Sequence, residues 1–162
     1  MSSMIGSSFV SPQKLHFAIV GDLSFFYDMN CLGNRDIKSN IRILLINNGH
    51  GQEFANYTHA ASVLGEDVNT FVAAKGHFGS KSIALVKHFA EDLGFEYICA
   101  HSKEEFIKHS ARFVDSEINT KPLIFEVFTT EDDENCALSS IHSLLMDNNV
   151  KAKNFVKKIL FK

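Results

Sequence analysis

Residues 21–54 read GDLSFFYDMNCLGNRDIKSNIRILLINNGHGQEF, and this stretch decides how the rest of the chain is organised. It opens with Gly21-Asp22 at the end of one apolar run, Leu15–Val20. It closes with Asn47-Asn48-Gly49 at the end of another, Ile41–Ile46. Both runs are short and nearly continuous, as in strands covered on both faces. Between them Ser24 is expected to cap a helix over about Phe25–Asp36, with Phe25, Phe26, Met29, Leu32 and Ile37 on its apolar face. Strand, helix and strand make a parallel crossover, and ligands of such sheets bind beyond the carboxyl ends of the strands. Asp22 and Asn48 both fall at such ends.

The chemistry available there is specific. A carboxylate, an amide oxygen and a backbone carbonyl just after it are hard oxygen donors of the kind magnesium prefers. Backbone N–H groups at Leu23 and Ser24 open a helix and suit phosphate oxygens. Gly49 and Gly51 let a ligand approach the backbone closely. Each half also has a purely structural reading, Asp or Ser as an N-cap and Asn-Asn-Gly as a turn. Their pairing at crossover spacing points to one site for a diphosphate and its magnesium.

Working outward, Met1–Val10 is small and weakly helical, and Ser11-Pro12 breaks it. From His50 to about Gly79 no period persists beyond a possible short helix at Gln52, so most of this span is expected as a functional loop. A helix follows over Lys81–Leu93, stopped by Gly94, then a strand over Phe95–Ala100. Ser102 and Glu105 fit a capping box for the next helix. Pro122-Leu-Ile-Phe-Glu-Val-Phe128 is expected as another strand, residues 132–146 as another helix, and Lys151–Lys162 as a short basic helix. Alternating strands and helices predict a three-layer α/β/α domain with a mostly parallel sheet, one domain over 1–162.

Composition narrows the function classes. The chain has 162 residues, 45% of them apolar, and a net charge of -3 with no basic stripe, so no nucleic-acid partner is expected. No apolar run is long enough to span a bilayer, and no membrane partner is expected. The first residues lack a signal-peptide pattern. Three scattered cysteines, Cys31, Cys99 and Cys136, read as reduced, which places the chain in the cytoplasm. The eight histidines form no HExxH pattern and read as surface or hydrogen-bonded residues. Gln52 and Phe54 follow the metal turn closely enough to face a reacting centre, or else serve as helix start and core.

The wording GDLS…YD.N.L…NNG.GQ.F resembles the cofactor motif of thiamine-diphosphate-dependent enzymes, which runs from Gly-Asp-x to Asn-Asn over nearly thirty residues. It is most similar to the menaquinone-pathway carboligase, and also to acetolactate synthase and the 2-oxoacid decarboxylases. The Ala74-Lys75-Gly76 loop, residues 90–97 and the strand before Val127 are compatible with it, so the likeness covers about residues 5–140. Leu23 stands where many relatives have a second Gly, as it does in the menaquinone branch. The resemblance implies thiamine diphosphate and Mg2+ as cofactors. Gly21, Asp22, Leu23, Ser24, Asn48, Gly49, His50 and Gly51 would line the diphosphate. Asp22, the Asn48 side chain and the His50 carbonyl would hold the metal.

For a complete enzyme it implies decarboxylation of a 2-oxoacid, followed by protonation or by carboligation to an acceptor. The resemblance also implies a pyrimidine-binding domain or subunit as partner, usually met across a homo-oligomer interface, because this chain corresponds to most of a pyrophosphate-binding domain lacking its N-terminal part. No catalytic side chain is expected within it, and no turnover from it alone. Exposed apolar surface is expected where that partner docks. Two other readings stay open: a non-catalytic remnant that binds a partner chain, and an unrelated doubly wound domain for a nucleotide or phosphate, against which the lack of a GxGxxG or P-loop pattern speaks.

Overall fold

β1 (His16–Gly21), β2 (Ile41–Asn47), β3 (Glu96–Ala100) and β4 (Leu123–Phe128) form one sheet in the order β1-β2-β4-β3, and every pairing is parallel. Gly21 pairs with Ile46 and Asn47 with Phe128, so the carboxyl ends of β1, β2 and β4 finish level. The computed structural model describes residues 1–55, 59–77, 82–142 and 144, divided between two units, 1–129 and 130–162. The sheet belongs to the first.

Helices cover both faces of the sheet because alternate side chains of each strand point to opposite layers. On one face Ile43, Leu45 and Ile124 pack with Ile5 of α1 (Ser2–Val10), Phe25 of α2 (Asp22–Asp28), and Val86 and Ala90 of α5 (Leu85–Asp92). On the other, Leu123 and Phe125 pack with Phe113 of α6 (Lys103–Val114) and with Phe106. Burying such a side chain fully contributes about 1.5–3 kcal/mol. This is the α/β/α layering expected from the alternation of elements.

Several boundaries differ from expectation, each for a local reason. The first crossover helix starts at Asp22, not after Ser24, and Gly21 precedes it with extended backbone (ψ 160°). It ends at Asp28 and tightens into a 3-10 turn over Met29–Gly33 rather than running to Asp36. Asn34 accepts the Asp36 N–H through its side chain at 2.9 Å, a local turn that competes with helical bonding. The long stretch expected as loop contains α3 (Gln52–Ala55), a 3-10 turn at Ala60–Leu64 and α4 (Asp67–Phe71). None is long enough to display a hydrophobic period. α5 begins at Leu85, and Lys81 lies outside the described residues.

Gly94 ends α5 with φ 81°, as its position predicts. The Ser102 hydroxyl caps α6 by accepting from Glu105 N–H (3.2 Å), while the Glu105 carboxylate takes the N–H of His101, one residue before the cap. β2 is anchored at its amino end by Arg42, 2% exposed, whose guanidinium donates to the carbonyls of Phe113 (2.7 Å), Asp115 (2.6 Å) and Glu117. It thereby closes the carboxyl end of α6.

In the second unit a helix covers 131–142, opened by Thr130 and Asp133, each accepting the other's N–H through its side chain. The expected basic helix at 151–162 lies outside the described residues. No helix among the described residues is long and apolar enough to cross a membrane.

Candidate functional site

Asp22 leaves β1 as the first residue of α2 and is 1% exposed, although a buried carboxylate is costly unless its oxygens are matched by donors. Oδ1 accepts the N–H of Leu23 (2.7 Å), and Oδ2 accepts the N–H of Gly49 (2.6 Å). The second bond joins the ends of β1 and β2. It sets the Asn48 turn directly against Asp22.

The turn itself is laced on every side. Asn48 Oδ1 accepts the His50 N–H at 3.1 Å. Gly49 takes φ 82°, a conformation that only Gly adopts without cost, and its carbonyl accepts from Gly76 N–H (3.1 Å). Gly51 N–H donates to the Ala73 carbonyl at 2.6 Å. A Cβ on Gly51 would lie 2.9 Å from a methyl of Leu23 and from the Phe54 ring, so the Asn48 turn and the start of α2 are in close contact there. The Ala74-Lys75-Gly76 loop therefore folds back onto the turn, with Ala74 itself at φ 50°.

The structure brings Gly21, Asp22, Leu23, Ser24, Asn48, Gly49, His50 and Gly51 to one end of the sheet. Two details go beyond the sequence reading. The Leu23 N–H, expected as a phosphate donor, is held by Asp22. The His50 side chain is buried, its Nε2 2.5 Å from Gln52 Oε1, while its carbonyl accepts from Gln52 N–H (3.1 Å). A carbonyl has two lone pairs, so one remains for a metal. Gln52 opens α3, and Phe54, half-buried, packs edge-on against His59 with ring centroids 5.3 Å apart.

Three residues outside the expected site, His77, Tyr97 and Glu126, also belong to the region. His77 places Nε2 3.0 Å from Asp22 Oδ2 and packs its ring against Phe26. It sits in the span without periodicity, where nothing in spacing could mark it. Glu126 of β4, 1% exposed, accepts from Asn47 Nδ2 (2.7 Å) and from the Tyr97 hydroxyl (2.6 Å). Burial pushes the Glu126 carboxyl above the usual carboxylate range, against the opposing pull of those two hydrogen bonds. The available signal was a lone acidic residue in the run Leu123–Phe128.

No protein-family model matches the chain. It is 37% identical over 132 residues to 2-succinyl-5-enolpyruvyl-6-hydroxy-3-cyclohexene-1-carboxylate synthase of Bacteroides fragilis, covering 82% of this chain and 22% of that protein. The chain is similar to one segment of that synthase. The synthase of Phocaeicola vulgatus matches at 35% over 149 residues (92% and 25%), and that of Bacteroides thetaiotaomicron at 32% over 132 residues (82% and 22%). The chain thus spans about a quarter or less of the curated relatives' length. The synthase is the carboligase branch whose motif wording this sequence resembles, so the match supports a thiamine-diphosphate-enzyme domain. The wider likeness to acetolactate synthase and the decarboxylases is not carried by these matches.

Proposed function

We propose that this chain holds the diphosphate of thiamine diphosphate through Mg2+, as one part of a carboligase like the synthases it matches. The observation that carries the reading is the bond from Gly49 N–H to Asp22 Oδ2, which sets the Asn48 turn against a buried carboxylate. The residues fit the group: one carboxylate, one amide oxygen and one carbonyl with a spare lone pair leave positions for water and phosphate oxygens around an octahedral magnesium. Among the described residues no cluster of three His, Cys, Asp or Glu side chains offers a different metal site.

When bound, the cofactor would supply the electron sink for decarboxylating a 2-oxoacid. The residues of this chain bind and orient. Asp22, Asn48 and the His50 carbonyl would hold the metal, and Gly49 and Gly51 let the diphosphate approach. Leu23 N–H would have to turn from Asp22 Oδ1 toward a phosphate oxygen. No side chain here is assigned to proton transfer on substrate, which the reading leaves to a pyrimidine-binding domain in another subunit or chain. Support for such a partner comes from apolar surface left open on the edge strand, where Phe17 is 45% and Ile19 72% exposed.

The test is calorimetric titration of thiamine diphosphate with and without magnesium, with a relative's pyrimidine-binding domain supplied. Wild type should bind only with magnesium, and Asp22→Ala should lose binding. Wild-type silence, or equal binding by Asp22→Ala, would overturn the proposal and leave a remnant that serves only to bind another chain.

A further inference from the structure

Beyond the expected ligands, the carboxyl end of the sheet carries a polar chain that crosses three adjacent strands. Asn47 is the last residue of β2 and precedes Asn48 directly. Its side-chain Nδ2 donates to Glu126 Oε1 on β4 at 2.7 Å, and Glu126 Oε2 accepts the hydroxyl of Tyr97, on β3, at 2.6 Å. The Asn47 carbonyl accepts the Thr129 N–H (3.0 Å), just past β4. Asn47 is 5% and Glu126 1% exposed. Ile124 of the same strand face lies in the core cluster beside Leu45 and Val86, with Tyr97 packed against it.

A glutamate costs stability in such surroundings, and a leucine of similar reach would pack there without that cost. Both carboxylate oxygens are matched by donors, so the group fixes a geometry. What it fixes is the exit direction of β2. Asp22 holds the turn from the β1 side through Gly49; Glu126 holds it from the β4 side through Asn47.

We propose that Glu126 is the positioning residue of the metal turn: by bracing Asn47 from β4, it sets where the Asn48 side chain and the His50 carbonyl stand relative to Asp22. Tyr97 orients the Glu126 carboxylate in turn. This rests on the magnesium reading above. Outer-shell partners of metal ligands typically govern affinity by about 10–100-fold.

The experiment measures apparent magnesium affinity by calorimetry at saturating thiamine diphosphate, alongside the thermal midpoint, in the same arrangement as the titration above. Glu126→Leu keeps bulk and removes both acceptors, and should weaken magnesium by about tenfold or more. Asn47→Ala should weaken it similarly, and the double variant should be no worse than either single one, because the two act as one brace. Glu126→Gln retains an acceptor for Asn47 and can donate to the Tyr97 oxygen, so it should restore affinity to within about threefold of wild type. A merely structural glutamate would lower the thermal midpoint without this pattern.

The inference is overturned if wild type binds magnesium, Asp22→Ala does not, and Glu126→Leu binds like wild type, or if the two single losses add. Should Glu126→Leu not fold, Asn47→Ala and Glu126→Gln decide by the same criteria. If wild type itself fails to bind, the magnesium reading falls first and this inference falls with it.

Discussion

Replacing Arg42 tests the scaffold that aims the site. Arg42 is the second residue of the strand that leads to Asn48, and its guanidinium reaches the carbonyls at the end of α6. In Arg42→Met the Phe113 carbonyl is left buried without its donor, at about 1–3 kcal/mol. The Asp115 and Glu117 residues are exposed, so water can replace the lost bonds there and each loss costs about 0.5–1.5 kcal/mol. Relief of the guanidinium's own burial offsets part of the sum, which leaves about 3 kcal/mol. Urea unfolding should show a midpoint lower by about 1–2 M at unchanged slope. Arg42→Lys, one donor group in place of a planar fork, should fall between the two. An Arg42→Met midpoint within about 0.3 M of wild type would refute the claim that Arg42 carries this junction.

Two further outcomes are expected. Gly49→Ala forces a side chain into φ 82° and should cost about 1–2 kcal/mol in thermal or urea unfolding, with magnesium binding weakened as well. Glu126 has its folded pKa raised by burial, so its contribution to stability is fully present below the unfolded value of about 4.3 and is lost as pH rises through the folded value. Urea unfolding across that range should show stability falling with pH more steeply in wild type than in Glu126→Gln; equal slopes would contradict this.

Sheet class was readable because continuous apolar runs and crossover lengths report directly on parallel pairing. The local ends of elements were harder. At α2 the sequence offers two capping residues, Asp22 and Ser24, and neither takes that place: Gly21 precedes the helix, and Asp22, its first residue, is turned to Gly49. The span from His50 to His77 hides short helical turns because five residues cannot express a 3.6-residue period. The meeting of Asp22 with the Asn48 turn was legible, since the crossover spacing brings both to the same sheet edge. The link from Asn47 through Glu126 to Tyr97 was not, because it is lateral: it depends on strand order β2-β4-β3, which places residues far apart in sequence side by side. His77 likewise reaches Asp22 only through the folded-back loop.

The most direct measurement is a crystal structure of the chain with thiamine diphosphate and magnesium, its pyrimidine-binding partner included. The account predicts a metal bound by Asp22, Asn48 Oδ1 and the His50 carbonyl at about 2.0–2.1 Å, bridged to the diphosphate. A cofactor seated elsewhere, or a magnesium that leaves Asp22 bonded only to Gly49, Leu23 and His77, would contradict it.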